Sequence, residues 1–167
     1  MKTYILLTFF FFFTVRGFAC DCEDQGNFIQ VAPKSDLVAY IRIKKFLTFK
    51  DINEEKTPMS MDAEVIEVFK GKEVRKNIII WGDNGIMCRP YLSRFKEGEL
   101  YVIAFHSSNK DHGHKNEKNT DYFISVCGTY YLPVRTMKSI KYAEGNIEPN
   151  KPKLKIQELK GLLAKLK

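Results

Sequence analysis

Apolar residues along this chain recur mostly at the period of a strand. Leu37, Ala39, Ile41 and Ile43 alternate with polar partners such as Arg42 and Lys44, which predicts a half-buried strand over Leu37 to Phe46. Ala63 to Phe69, Asn77 to Trp81, Tyr101 to Phe105 and Tyr122 to Cys127 alternate or run apolar over similar lengths and predict four more. The stretches between them are turn-rich: Lys70-Gly71-Lys72, Gly82-Asp83-Asn84-Gly85, Glu97-Gly98-Glu99 and the polar run Ser107 to Asp121. Five short strands with polar connectors predict a mainly β domain, a small closed or nearly closed barrel.

Two segments break this pattern. From Asn150 and Pro152, a cap and a first turn, Ile156, Leu159, Leu162, Leu163 and Leu166 follow at spacings of three and four with lysines mostly elsewhere. That predicts an amphipathic helix over 149–167, packed on the barrel in preference to a membrane surface or a partner. At the other end, Lys2, the apolar run Tyr4 to Val15 with Phe9 to Phe13 inside it, and the small residues Gly17 and Ala19 read as a signal peptide over 1–19. Cleavage there makes Cys20 the first residue of the mature chain. The run is shorter than the ~20 residues a membrane span needs, and no later stretch competes, so no transmembrane span is expected. A chain of roughly 150 residues remains, the size of one domain.

Composition narrows the function. The formal charge of +7 falls to +5 when Lys2 and Arg16 leave with the signal, and the lysines are spread along surface segments. A solvated face is the simpler reading of such spacing than a polyanion site, and nucleic acid is not an expected partner of an exported chain. All four cysteines, Cys20, Cys22, Cys88 and Cys127, lie in the exported part, and an even count outside the cytosol points to two disulfides. A four-cysteine zinc site is the alternative, although such sites use two short-spaced pairs and Cys88 and Cys127 are far apart. A Cys20–Cys22 bridge would close a strained three-residue ring, which leaves two connectivities, each tying the N-terminus to a distant part of the fold. The sequence has no serine elbow, no HExxH and no cysteine left over after two bridges, so the chain is not read as an enzyme, and no cofactor is expected. His106, His112 and His114 invite a metal reading, against the simpler one of a solvent loop. Trp81, Tyr91, Tyr101, Phe105, Tyr122 and Phe123 could form an aromatic ligand face, but most sit at strand periodicity and read as core.

Several features taken in order resemble one family. They are the mature N-terminal Cys20-Asp21-Cys22, the Ser35-Asp36-Leu37-Val38 entry to the first strand, the Val68-Phe69-Lys70-Gly71 end of the second, Cys88 ahead of Gly98-Glu99-Leu100-Tyr101-Val102, and Cys127 after the fifth strand. Together they resemble the netrin-like domain of the tissue inhibitors of metalloproteinases (TIMPs) over most of Cys20 to Leu132. The resemblance implies a five-stranded OB-fold domain over 20–148, with Cys20 paired to Cys88 and Cys22 to Cys127. The third bridge and the cysteine-rich second domain of the animal inhibitors are missing, so only the inhibitory half is matched. It further implies a secreted metalloprotease inhibitor, protease-binding through Cys20, Asp21 and Cys22, in which the α-amine and carbonyl of Cys20 chelate the zinc of a partner metalloendopeptidase. Asp21 departs from the family, which places a small hydroxyl residue there to face the protease's specificity pocket. An ionised carboxylate in an apolar pocket costs several kcal/mol unless a basic group meets it. The competing reading is a non-inhibitory extracytoplasmic binding module, in the periplasm or at the cell surface, holding another exported protein or a polysaccharide. In that reading a lipid anchor at Cys20 is the variant a bacterial lipoprotein signal would produce, although Gly17 stands where such signals usually carry a leucine-like residue.

Overall fold

The computed structural model describes residues 22–108 and 113–166. The signal segment expected over 1–19, together with Cys20, Asp21 and His112, lies outside the described residues. A short helix, α1 (Phe28–Val31), precedes eight strands: β1 (Leu37–Ile52), β2 (Glu55–Lys70), β3 (Asn77–Trp81), β4 (Leu100–Ser107), β5 (Tyr122–Phe123), β6 (Tyr131–Met137), β7 (Ile140–Glu148) and β8 (Lys151–Lys155). Helix α2 (Ile156–Ala164) closes the chain.

Five strands form a ring. β1 pairs with β2 as a long antiparallel hairpin, with Ile41 opposite Val65, and the two turn residues Asn53 and Glu54 both take left-handed φ, 51° and 68°. Two consecutive positive φ values match the right-handed twist of the flanking strands in a tight hairpin. β2 pairs with β3, β3 runs parallel to β5, β5 is antiparallel to β4, and β4 returns to β1 with Leu37 opposite Phe105. From β4 the sheet continues outward through β6 and β7 to β8.

All five expected strand segments are present, and the inward face of β1 is the one the alternation named. Leu37, Ala39, Ile41 and Ile43 are buried while Arg42 and Lys44 are exposed. The opposite face differs from simple alternation, because Val38 and Tyr40 are buried as well. Residues of β7 and α2, including Ile140, Lys141, Ile156 and Gln157, lie over Tyr40 and convert that stretch of the outer surface into a second packed layer.

Three further differences have local causes. β5 stops at Phe123 instead of reaching Cys127, because the Ser125 hydroxyl accepts from the Cys127 amide at 3.1 Å and the Val126 amide donates to the Cys88 carbonyl at 3.2 Å, drawing the chain off the sheet. β6 to β8 were not expected from the pattern: Pro133 interrupts one, Gly145 another, and lysines with Pro152 fill the third. β8 is the free edge of the sheet, where Pro and Lys are tolerated and discourage pairing with another chain. The helix accordingly begins at Ile156, not in the 149–152 region. Asn150, the expected cap, occupies the β7–β8 turn at φ 64°, and Lys151 to Lys155 pair with β7. Ile156, Leu159 and Leu163 are buried against the sheet, which is the amphipathic docking expected of the tail. No described helix is long and apolar enough to cross a membrane.

Candidate functional site

The described part of the N-terminal segment is fastened to the stretch Cys127 to Tyr130. Cys22 is disulfide-bonded to Cys127, closing a sequence separation of 105 residues, as the resemblance implied. Three residues on, the Gln25 amide donates to the Cys127 carbonyl at 2.6 Å, and the buried Tyr130 hydroxyl donates to Gln25 Oε1 at 2.6 Å. Burial pushes the Tyr130 phenol above its ordinary pKa, which keeps it a donor. The Thr129 amide then donates to the Gly26 carbonyl at 2.9 Å. Gly26 sits at φ 95°, and a Cβ there would lie 2.1 Å from Gln30 Oε1, so glycine lets the extended segment turn into α1. Asn27 and Gln30 close that turn as a reciprocal capping box.

The second wall is the loop carrying Cys88. Asp83 Oδ1 accepts from the amides of Gly85 at 2.9 Å and Met87 at 2.7 Å, so one carboxylate folds the loop on itself. Arg89 anchors it. Its Nη1 donates to both oxygens of Glu117, at 2.8 and 2.9 Å, with the two side chains 2% and 0% exposed, and its guanidinium lies 4.1 Å from the centre of the Phe123 ring. Glu117 also accepts from the Ser108 hydroxyl and from the amides of Gly113 (2.9 Å) and His114 (3.1 Å). Burial alone would raise the Glu117 pKa, but the Arg89 and Ser108 hydrogen bonds, the Arg89 charge and the Gly113 amide outweigh it and hold the carboxyl below its ordinary value. A buried pair of this kind is costly unless every lone pair is used, and here the loop amides supply the remaining donors.

At the junction of these walls the sulfurs of Cys22, Cys88 and Cys127 all lie within 4.8 Å of one another. All three are disulfide-bonded and no described cysteine is free, so the zinc alternative for the cysteines is set aside. The pairing expected for Cys88, with Cys20, falls outside the described residues, as does the position of Asp21. Beside the junction opens a cleft of about 640 Å³ lined by Ile86, Cys88, Arg89, His106, Phe123 and Ser125.

The two described histidines make separate contacts, and His112 lies outside the described residues. His106 stacks on Phe123 and Tyr130, with Nδ1 4.0 Å from Asp36. His114 lies against Trp81, its Nε2 2.8 Å from the Gly82 carbonyl. The aromatic residues do not form a ligand face either: Trp81, Tyr101 and Phe105 are buried, Tyr91, Tyr122 and Phe123 half-buried, and the Trp81 indole N–H donates to Asp121 at 2.8 Å. The Arg89–Glu117 pair was missed from sequence. Its members stand 28 residues apart in loops, and the one local hint was a charged residue lodged between Cys88 and Pro90.

No protein-family model matches the chain, and no curated protein matches its sequence.

Proposed function

We propose that the chain is a secreted TIMP-like inhibitor of zinc metalloendopeptidases, built on an OB-type barrel and acting through the N-terminus exposed by signal cleavage before Cys20. The observation that carries this reading is the Cys22–Cys127 bridge, which fixes the chain two residues after Cys20 against the loop of Cys88. The OB-type reading draws support from the five-strand ring closed by β1 and β4. With Cys88 itself disulfide-bonded, the proposed pairing gives it Cys20 as partner and clamps the terminal residue on both sides.

In this mechanism the Cys20 α-amine and carbonyl coordinate the partner's zinc and displace its water. A free α-amine titrates near ~8, and a zinc ion lowers that further, so the neutral ligand is accessible at pH 7. The bridges hold the ligand in place before contact and reduce the ordering cost of binding. Asp21 then enters the specificity pocket, which requires a protease with a basic group there.

The test compares a chain beginning at Cys20 with one carrying an extra alanine before it, against metalloendopeptidases that include members with basic specificity pockets. Acylation of the amine removes the chelating lone pair, so the extended form should lose at least about a hundredfold in potency. Equal potency of the two sinks the chelation mechanism. The Asp21 carboxylate favours a second reading, a non-inhibitory extracytoplasmic binding module, and absence of inhibition by either form selects it.

A further inference from the structure

Away from the cysteine junction, the layer between β1 and α2 contains an unsatisfied donor. Tyr40 is 3% exposed, and its hydroxyl has no hydrogen-bond partner. A buried O–H left unpaired costs stability comparable to a lost hydrogen bond, so such a group in a folded protein calls for a missing acceptor. Helix α2 begins at the same place: nine residues long, with Lys155 at its N-cap and no side chain capping its first turn. The first amides of a helix lack intrahelical acceptors and carry the positive end of its dipole.

These groups line one cleft of about 310 Å³, formed by Tyr40, Glu67, Lys141, Lys155, Ile156 and Gln157. The Lys141 ammonium stands 5.4 Å from the centre of the Tyr40 ring and forms no ion pair among the described residues. Both nearby acids carry a cation: Glu67 on the lining is hydrogen-bonded and ion-paired to Lys160 from α2, and Glu158 in the first turn of α2 lies 3.5 Å from the Lys155 ammonium. The surrounding field has the same sign. Residues 133–167 hold nine lysines and arginines against three glutamates, so the positive charge of the chain is gathered in the β6–α2 extension rather than spread evenly.

We propose that this cleft binds a tetrahedral oxyanion of the sulfate or phosphate type, free or as the ester group of a larger ligand. The Tyr40 hydroxyl donates to one oxygen, the Lys141 ammonium neutralises charge, and the first amides of α2 donate to another oxygen, the arrangement by which helix N-termini hold phosphate. The site is independent of the protease reading and uses none of its residues.

The disulfide-bonded chain is titrated with inorganic sulfate, inorganic phosphate, a sulfated disaccharide and glucose 6-phosphate at constant ionic strength, and the amide resonances of Ile156 and Gln157 are followed by NMR. Saturable shifts at these amides are expected, and the order of affinities among the four probes names the source of the oxyanion. Tyr40→Phe deletes only the partnerless hydroxyl, so it retains the fold and does not lower the melting temperature in anion-free buffer. It should nonetheless weaken binding about tenfold, as should Lys141→Gln, whereas Lys56→Gln on the distant hairpin should leave binding unchanged. Non-saturating shifts with all four probes, or wild-type affinity in both Tyr40→Phe and Lys141→Gln, overturn the proposal.

Discussion

Replacing Glu117 by alanine should be among the most damaging single changes outside the apolar core. The carboxylate receives both contacts from Arg89 Nη1, the Ser108 hydroxyl and two loop amides, and the side chains of the ion pair are 2% and 0% exposed. Removing it breaks the contacts at 2.8 and 2.9 Å that a guanidinium buried against Phe123 makes to this carboxylate, a loss of about 3–5 kcal/mol for a broken buried pair. For a domain of this size, with a urea slope of about 1–3 kcal/mol per molar, the unfolding midpoint should fall by about 2 M. Urea unfolding followed by far-UV circular dichroism measures the shift. Hydrogen exchange supplies the local readout, since the Gly113 and His114 amides lose their acceptor and should exchange faster. The double variant Arg89→Met with Glu117→Leu should recover most of the loss, because the cost lies in breaking the buried charge pair rather than in missing volume. Glu117 also has its folded pKa below the usual 4.5, so its contribution is present above the unfolded value and disappears as pH falls through the folded one. A Glu117→Ala loss under about 1 kcal/mol, or a double variant worse than the sum of the singles, would refute the view that this pair anchors the Cys88 loop.

Two other expectations concern the frame around the sites. Glu73 is held at a pKa of about 2, first by the side-chain hydrogen bonds from Arg75 against an opposing effect of burial, with further help from the Arg75 amide and the Tyr122 hydroxyl. Its folded pKa lies below the unfolded one, so the stabilisation is complete above about pH 4.5 and is lost as pH falls towards 2. With Arg75 39% exposed, screening reduces it to about 1–2 kcal/mol, and Glu73→Gln should flatten the pH dependence of stability in that window; an unchanged profile contradicts the assignment. Leu159 is fully buried in the helix-on-sheet layer, so Leu159→Ala should cost about 2–5 kcal/mol by thermal unfolding, whereas a cost near zero means that α2 does not dock.

How much of this was legible in the sequence depends on the range of the interaction. Alternation or short apolar runs located all five strands of the ring, and on β1 Leu37, Ala39, Ile41 and Ile43 are placed by the same inside–outside rule that selects them. The heptad-like leucines located α2 but not its start, since Lys151 to Lys155 are strand by virtue of pairing with β7 rather than by propensity. An edge strand rich in lysine with a proline reads locally as a cap or loop. The Cys22–Cys127 connection was open on spacing alone and was indicated by the resemblance. Arg89–Glu117 joins two loops and the Tyr40 cleft joins β1, β2, β7, β8 and α2, and no local period encodes such meetings. The gathering of positive charge in the last 35 residues was present in the composition, but it acquires a meaning only once Tyr40 is seen to lie beneath α2 without a partner.

The proposed inhibitory terminus sets two energies against each other. Anchoring at Cys22, with Gln25 and Gly26 hydrogen-bonded to the 127–129 segment, would leave only two residues between that fixed point and the amine of a chain cleaved, as proposed, before Cys20. Ordering a free residue costs about 1–2 kcal/mol of backbone entropy, so a clamp at Cys22, strengthened by a bridge from Cys20 to Cys88, removes a few kcal/mol of loss that a flexible terminus would incur on binding. Burial of the Asp21 carboxylate costs a similar amount or more in an apolar pocket. Against a protease with such a pocket the two nearly cancel and chelation alone must supply the affinity. Against one with a lysine or arginine in the pocket, the carboxylate changes from a penalty to a charge-assisted contact while the clamp keeps its value. On the proposed reading such a terminus favours discrimination over breadth, and the proteases to test first are metalloendopeptidases with a basic group in the specificity pocket.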